Sequence, residues 1–324
     1  MHVLLFGLGA VGSTYAFVLA QAGVNVTVVA RSNYSQVAAQ GIHIKSERYG
    51  DHPNFKFTNA VKSPDDPALK EISFDYIVCC NKAIPTTPSV PDIISPCVRT
   101  PETTIVLIQN GVGNDIIFRK RFPQNPILSG VTWVNALQTE PGVIVHKANE
   151  TMQFGCHWDD KIDKKLQQTA LDNFVGALIK GGTQVEVVPQ IGLWRWKKTI
   201  WNCCWNNFTA LTLCNTANFL NASDSAKPIA RRLIDELALV AAAQGYTMEP
   251  EYLTSLIERD IVRKGIISSM YTDAKNSRVM EIDAILKGPL SAAREANVDT
   301  PVLETLDAIA SAVNWRFAHP EIPQ

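Results

Sequence analysis

The chain has 324 residues, 46% of them hydrophobic and 19% charged, with a formal net charge of −1, the composition of a globular protein with room for two domains and a sizeable core in each. No basic run is longer than Arg119-Lys120-Arg121, so the electrostatic footprint of a nucleic-acid binder is missing. Seven cysteines, an odd number with two adjacent pairs and no C-x-x-C spacing, argue against a disulfide framework or a metal site and fit packing thiols in a reducing compartment.

Residues 1–30 hold no acidic side chain and no Lys or Arg, a pattern shared with signal peptides and membrane spans. Gly7, Gly9 and Gly12 interrupt the run with turn chemistry, and no basic segment precedes it. A strand predicted from residue 2 leaves no place for a removable leader, so the expectation is a cytoplasmic protein without a membrane partner. HVLLF at 2–6 suits a strand buried on both faces, VGSTYAFVLAQAG reads as a helix, and VNVTVVA at 24–30 is the next strand. This is the context that gives a G-x-G-x-x-G match meaning. Within Gly7-Leu8-Gly9-Ala10-Val11-Gly12, the first glycine makes the tight bend, the second admits a pyrophosphate to the backbone, and the third allows close helix–strand packing. A dinucleotide is expected there.

An NAD site places Asp or Glu at the end of the second strand; here the first acidic residue is Glu47 and the position holds Arg31. A guanidinium facing the ribose 2′ position suits a phosphate, so NADP(H) is the expected cofactor, with Lys82, just past the strand FDYIVCC at 74–80, a second cation at the same sheet edge. A Pro-interrupted segment then runs to about residue 98, followed by strands at 103–109 and 125–134. Gln109-Asn110-Gly111-Val112-Gly113 opens into the crevice where ligands bind in such sheets, and the Asn110 amide can donate and accept there. After Asn135 the pattern changes to the short β pieces GVIVHKA and ETMQFGC, a helix around 161–179 and a strand at 183–189. The fold class is α/β: a Rossmann-type doubly wound parallel sheet with an added antiparallel portion, followed by an all-α helical domain.

Gln190-Ile191-Gly192 is the expected hinge between domains 1–190 and 191–324. Helices are expected at 193–213, 225–244, 250–264, about 266–275, 279–297 and 301–316. The first contains GLWRWKKTIWNCCWNNFTA, where cations and amides alternate with aromatics and no carboxylate appears. On a helix Lys198, Asn202 and Asn206 drift only about 40° per step and share one face, a binding face and not a packing face. Further on, Ser269 and Asp273 stand at i, i+4. Spacing alone makes Glu281 and Asp283 solvated charges.

The glycine turn, Lys82, QNGVG at 109–113, W-x-K-x-x-x-N-x-x-x-N from Trp196 to Asn206, SSM-x-x-D at 268–273 and EID at 281–283 keep an order and spacing that resembles the ketopantoate reductases (2-dehydropantoate 2-reductases) over nearly the whole length. The resemblance implies an active site in the cleft between a Rossmann domain and a helical domain, with Lys198 as general acid and Glu281 closing the site near lysine and substrate. It implies substrate amides at Asn202 and Asn206, a substrate hydrogen bond from Ser269, and Asn110 shared by nicotinamide ribose and substrate. It also implies cofactor contacts from the glycine turn, Arg31, Lys82, Ala136, Asn110 and Glu281. The activity implied is NADPH-dependent reduction of 2-dehydropantoate to pantoate, in pantothenate and coenzyme A biosynthesis. Three places depart from the family pattern: Asn207 stands where members commonly have Pro, residues 214–217 replace a Gly-containing turn, and Ile266 replaces a polar residue. These keep two alternatives open, a reductase of another small 2-oxo acid or ketone and a non-catalytic NADP(H) sensor. A homodimer is compatible with the apolar helices of the second half.

Overall fold

A computed structural model describes residues 1–262 and 265–322. The chain divides into two compact units, Met1–Gln109 with Asn114–Ile191, and Asn110–Gly113 with Gly192–Gln324. The strands are β1 (His2–Phe6), β2 (Asn25–Val29), β3 (Ile42–Ser46), β4 (Gly50–Phe55), β5 (Asn59–Val61), β6 (Tyr76–Cys79), β7 (Thr104–Leu107), β8 (Ile127–Glu140), β9 (Val143–Cys156) and β10 (Gln184–Val187). The helices are α1 (Ala10–Gln21), α2 (Tyr34–Gln40), α3 (Val90–Ile94), α4 (Asn114–Arg121), α5 (Lys164–Lys180), α6 (Ile191–Thr212), α7 (Thr216–Asn221), α8 (Ala226–Ala243), α9 (Pro250–Val262), α10 (Ser269–Lys275), α11 (Gly288–Ala296) and α12 (Pro301–Ala318).

In the first unit one ten-stranded sheet has the order β4-β3-β9-β8-β7-β6-β1-β2-β5, with β10 added to β9. The run from β8 to β5 is parallel, whereas β9 is antiparallel to β8. After the exposed His2, β1 is apolar because both its faces are covered. Val3 and Leu5 enter one core with Tyr15, Phe17 and Phe174, while Leu4 and Phe6 enter the other with Ile77, Ile105 and Phe118. The chain runs from β1 outward to β2 and β5, then returns to β6 on the other side of β1. That reversal puts the glycine turn at the topological switch point.

The doubly wound sheet and the helical second half are as expected, and several details differ. GVIVHKA and ETMQFGC are the two ends of one strand, β9, which forms a long hairpin with β8. The β3–β4 hairpin and the three-residue β5 carried no sequence signal, because GDHPNF is polar and contains a proline and NAV is too short to show a period.

In the second unit, α6 buries Ile200, Cys203, Cys204 and Trp205 against Leu233, Ile234 and Leu237 of α8 and Leu303 and Ala310 of α12. Expected helix 250–264 is α9, its last two residues lying outside the described residues. Expected helix 279–297 is instead an irregular stretch through Glu281, a π turn at Asp283–Lys287, and α11. Among the described residues no strand follows β10, and no helix is long and apolar enough to cross a membrane.

Candidate active site

The turn after β1 is built around close approaches and one open position. Gly7 has φ +103°, and a Cβ there would stand 2.3 Å from the backbone nitrogen of Asn81. A Cβ on Gly12 would stand 2.0 Å from the Gly7 carbonyl oxygen, so α1 can lie against the turn only without a side chain there. Leu8 is buried and Val11 packs on the core. At Gly9 an added Cβ would meet nothing within 4 Å. Gly9 is also the N-cap of α1, which starts at Ala10 with no side-chain cap and no acidic residue in its first turn. A helix N-terminus whose donors face open space, with no competing carboxylate, fits the pyrophosphate of a dinucleotide.

Arg31 is exposed one residue beyond Ala30, whose N–H donates to the Val61 carbonyl at 2.9 Å. Asn33, which the sequence reading passed over, is buried and donates from Nδ2 to the Leu8 carbonyl at 2.9 Å, tying the β2–α2 turn to the glycine turn. Lys82 is exposed past β6, two strands from β2 because β1 intervenes. Ala136 lies on β8 opposite His146. Gln109 donates to the carbonyl and side-chain oxygens of Asn81 at 3.0 and 3.1 Å, anchoring the turn that follows β7.

In the second unit α6 presents the expected polar face. Lys198 is half-buried, and Asn202 and Asn206 are 5% and 2% exposed. Arg195, one turn earlier on that face, is also buried, and Thr209 extends the face by a 2.7 Å hydrogen bond between its hydroxyl and that of Ser268. Burial pulls Lys198 down from 10.5 to about 8; Glu281 opposes this by favouring the charged form, and Arg195 adds to it. The neighbouring Lys197 is engaged elsewhere, over the rings of Trp194 and Tyr252 and 3.5 Å from Glu249.

Glu281 is 8% exposed, not the solvated charge its spacing suggests, and accepts from Asn110 Nδ2 at 3.2 Å. Lys198, Glu281 and Asn110 are therefore grouped in one unit although 171 residues separate the last two. The segment before Glu281 is clamped by Asn314 of α12: Met280 N–H donates to its Oδ1 at 2.6 Å, and its Nδ2 donates to the Met280 carbonyl at 3.3 Å. Asp273 pairs with Arg278 at 3.1 Å, and Asp283 with Lys287 at 3.0 Å. Ser269 is exposed at the start of α10, whereas Ser268 is buried and caps that helix. The departures from the family pattern separate into two places. Asn207 points away from Lys198, bonding back to the Cys203 carbonyl at 2.5 Å in the buried side of α6. Thr216 and Ile266 are partners, joined by Thr216 N–H to the Ile266 carbonyl at 3.2 Å and Ile266 N–H to the Thr216 hydroxyl at 2.9 Å. Among the described residues no group of three or more His, Cys, Asp or Glu is placed to hold a metal ion.

Two family models match the chain, ketopantoate reductase PanE/ApbA over residues 3–158 and its C-terminal counterpart over 190–314. An uncharacterized protein of Saccharomyces cerevisiae is 28% identical over 94% of this chain and 91% of its own length. The crystal structure of 2-dehydropantoate 2-reductase from Methylococcus capsulatus superposes with a TM-score of 0.85 at 26% identity, covering 98% of each chain. A ternary structure of D-mandelate dehydrogenase with NADH and anilino(oxo)acetate gives a TM-score of 0.86 at 22% identity, covering 98% of this chain and 99% of that one, and shares the fold. The chain belongs to the ketopantoate reductase family.

Proposed function

We propose that this protein is a cytoplasmic NADPH-dependent reductase of a small 2-oxo acid, with 2-dehydropantoate as substrate and pantoate as product. The observation that carries the reading is the grouping of Lys198, Glu281 and Asn110 beside the buried amides Asn202 and Asn206. NADPH, when bound, supplies hydride to the 2-oxo carbon. As negative charge develops on the carbonyl oxygen, the Lys198 ammonium stabilises it and then donates its proton there. Glu281 keeps Lys198 charged at neutral pH against the cost of its burial, and Asn110 holds Glu281 in register. Asn202, Asn206 and Ser269 are the groups assigned to the substrate. Gly7 to Gly12, Arg31, Lys82, Ala136, Asn110 and Glu281 are assigned to the cofactor. Residues 1–190 act as the cofactor domain and 191–324 as the substrate domain.

The assay is NADPH oxidation at 340 nm against 2-dehydropantoate, 2-oxoisovalerate, pyruvate and oxaloacetate. A kcat/KM for 2-dehydropantoate above about 10⁴ M⁻¹s⁻¹, well ahead of the others, is the expected result. A second reading, reduction of a different small 2-oxo acid, is favoured by the Thr216–Ile266 corner, which replaces a turn and a polar residue of the family pattern with a threonine hydroxyl tied to the main chain. Turnover on another member of the panel with none on 2-dehydropantoate selects it. Tight NADPH binding without any turnover defeats both.

A further inference from the structure

The cation paired with Arg31 by motif is Lys82, yet the sheet order separates them. The ends of β6 and β2 are two strand spacings apart, about 9–10 Å, with β1 between. β5, by contrast, is hydrogen-bonded directly to β2, with Val29 opposite Val61. The residue that leaves β5 at the same sheet edge is Lys62. Its Nζ lies 5.2 Å from the ring centroid of Tyr34, the first residue of α2 and three positions beyond Arg31, so the ammonium leans over the β2–α2 turn. The acids nearest to it in sequence are turned to local donors: Asp65 accepts from the Ser63 hydroxyl, and Asp66 from Ala68 N–H at 3.0 Å. Among the described residues no ion pair engages Arg31 or Lys62. The Asn33–Leu8 bond fixes this turn relative to the glycine turn, so any group held by the two cations stands at a set distance from the pyrophosphate site.

We propose that Lys62 is the second cation of the adenosine 2′-phosphate site: Arg31 meets the phosphate with its planar fork, Lys62 meets it as a point charge, and Tyr34 holds the lysine in place. This rests on the NADP(H) reading above. Two like charges on adjacent strand ends repel in the free protein, and a dianionic phosphate relieves that repulsion, whereas a 2′-hydroxyl does not. Lys62 is thereby a determinant of cofactor choice that no part of the glycine motif records.

The test is titration calorimetry on the full chain with adenosine 2′,5′-bisphosphate and with 5′-AMP, at one fixed ionic strength, for the wild type and for Lys62→Met, Lys62→Arg and Lys82→Met. The wild type is expected to prefer the bisphosphate. Lys62→Met should weaken the bisphosphate about tenfold and leave 5′-AMP unchanged, Lys62→Arg should restore most of the loss, and Lys82→Met should cost less than Lys62→Met. A wild type that prefers the bisphosphate alongside a Lys62→Met variant that binds it equally well overturns the assignment of Lys62 and leaves the NADP(H) reading intact. Equal loss for both ligands overturns it too, since the lysine would then be a general surface charge. A wild type without preference overturns the NADP(H) reading and the proposal with it.

Discussion

Lys198 sits where two opposing demands meet. Burial disfavours its ammonium and Glu281 favours it, and the balance leaves the group near 8, so it is charged at neutral pH yet a usable acid. With Lys198 as the proton donor, kcat falls as pH rises through about 8, which a pH profile at saturating NADPH and substrate measures. The same balance has a stability consequence with a definite sign. The folded value lies below the ordinary 10.5, so below about 8 the protein carries the full cost of an ammonium that is better solvated in the unfolded chain. That cost fades between about 8 and 10.5. Lys198→Met should therefore abolish turnover while melting above the wild type at pH 7, by about 2 °C or more, with the gap closing toward pH 10.5. A variant that melts lower at pH 7 would mean that Lys198 contributes more through bonds to its neighbours than its burial costs. At this scale the sequence marks Lys198, Asn202 and Asn206 by helical spacing. It cannot mark Glu281, which is buried and accepts a hydrogen bond from an asparagine 171 residues away.

Elements differ in how they announce themselves. The glycine turn is legible because each of its crowded glycines stands where a side chain would collide with backbone, a constraint that leaves its trace in composition. β5 leaves none: three residues show no period, and its pairing with β2 is a long-range event. The stretch read as one helix at 279–297 fails for another reason. Ile282, Ile285, Leu286 and Leu290 are spaced as on a helix and all are buried, but apolar spacing does not reveal the π winding of Asp283–Lys287 or the irregular backbone before it. That irregular backbone carries Glu281, and Asn314 satisfies the Met280 N–H and carbonyl next to it. Asn314→Ala leaves both groups without that partner, at a cost of about 1–3 kcal/mol in stability, read from denaturant unfolding. If the clamp also aims Glu281, support for the Lys198 charge weakens and the alkaline limb of the kcat profile moves to lower pH. A stability loss with an unmoved limb would make Asn314 structural only.

On the scale of the whole molecule, the order of the chain and the order of the cores disagree at one point. Gln109 belongs with the sheet through Asn81, but Asn110–Gly113 belong with the helices. Gly111 has φ +93°, and a Cβ there would stand 2.5 Å from the Ala284 carbonyl oxygen at the π turn, while Val112 packs against the core around Trp205 and Ile285. The helical unit is thus completed by four residues from the first half of the sequence, a dependence invisible to a division of the chain at residue 191. The buried cysteines report on it, because Cys79, Cys97 and Cys156 lie in the sheet unit and Cys203 and Cys204 in the helical one, all as thiols outside any disulfide. Burial pushes the Cys203 thiol up, so it reacts slowly with a disulfide reagent until the core around it opens. Gly111→Ala combines an unfavourable φ with a collision against backbone, a loss on the order of 1–3 kcal/mol. That loss falls on the helical unit, so native-state labelling of the full chain should speed up at Cys203 and Cys204 and stay unchanged at Cys79 and Cys97. Faster labelling at Cys79 and Cys97 instead would assign the loop to the sheet, and with it Asn110 to the cofactor side alone.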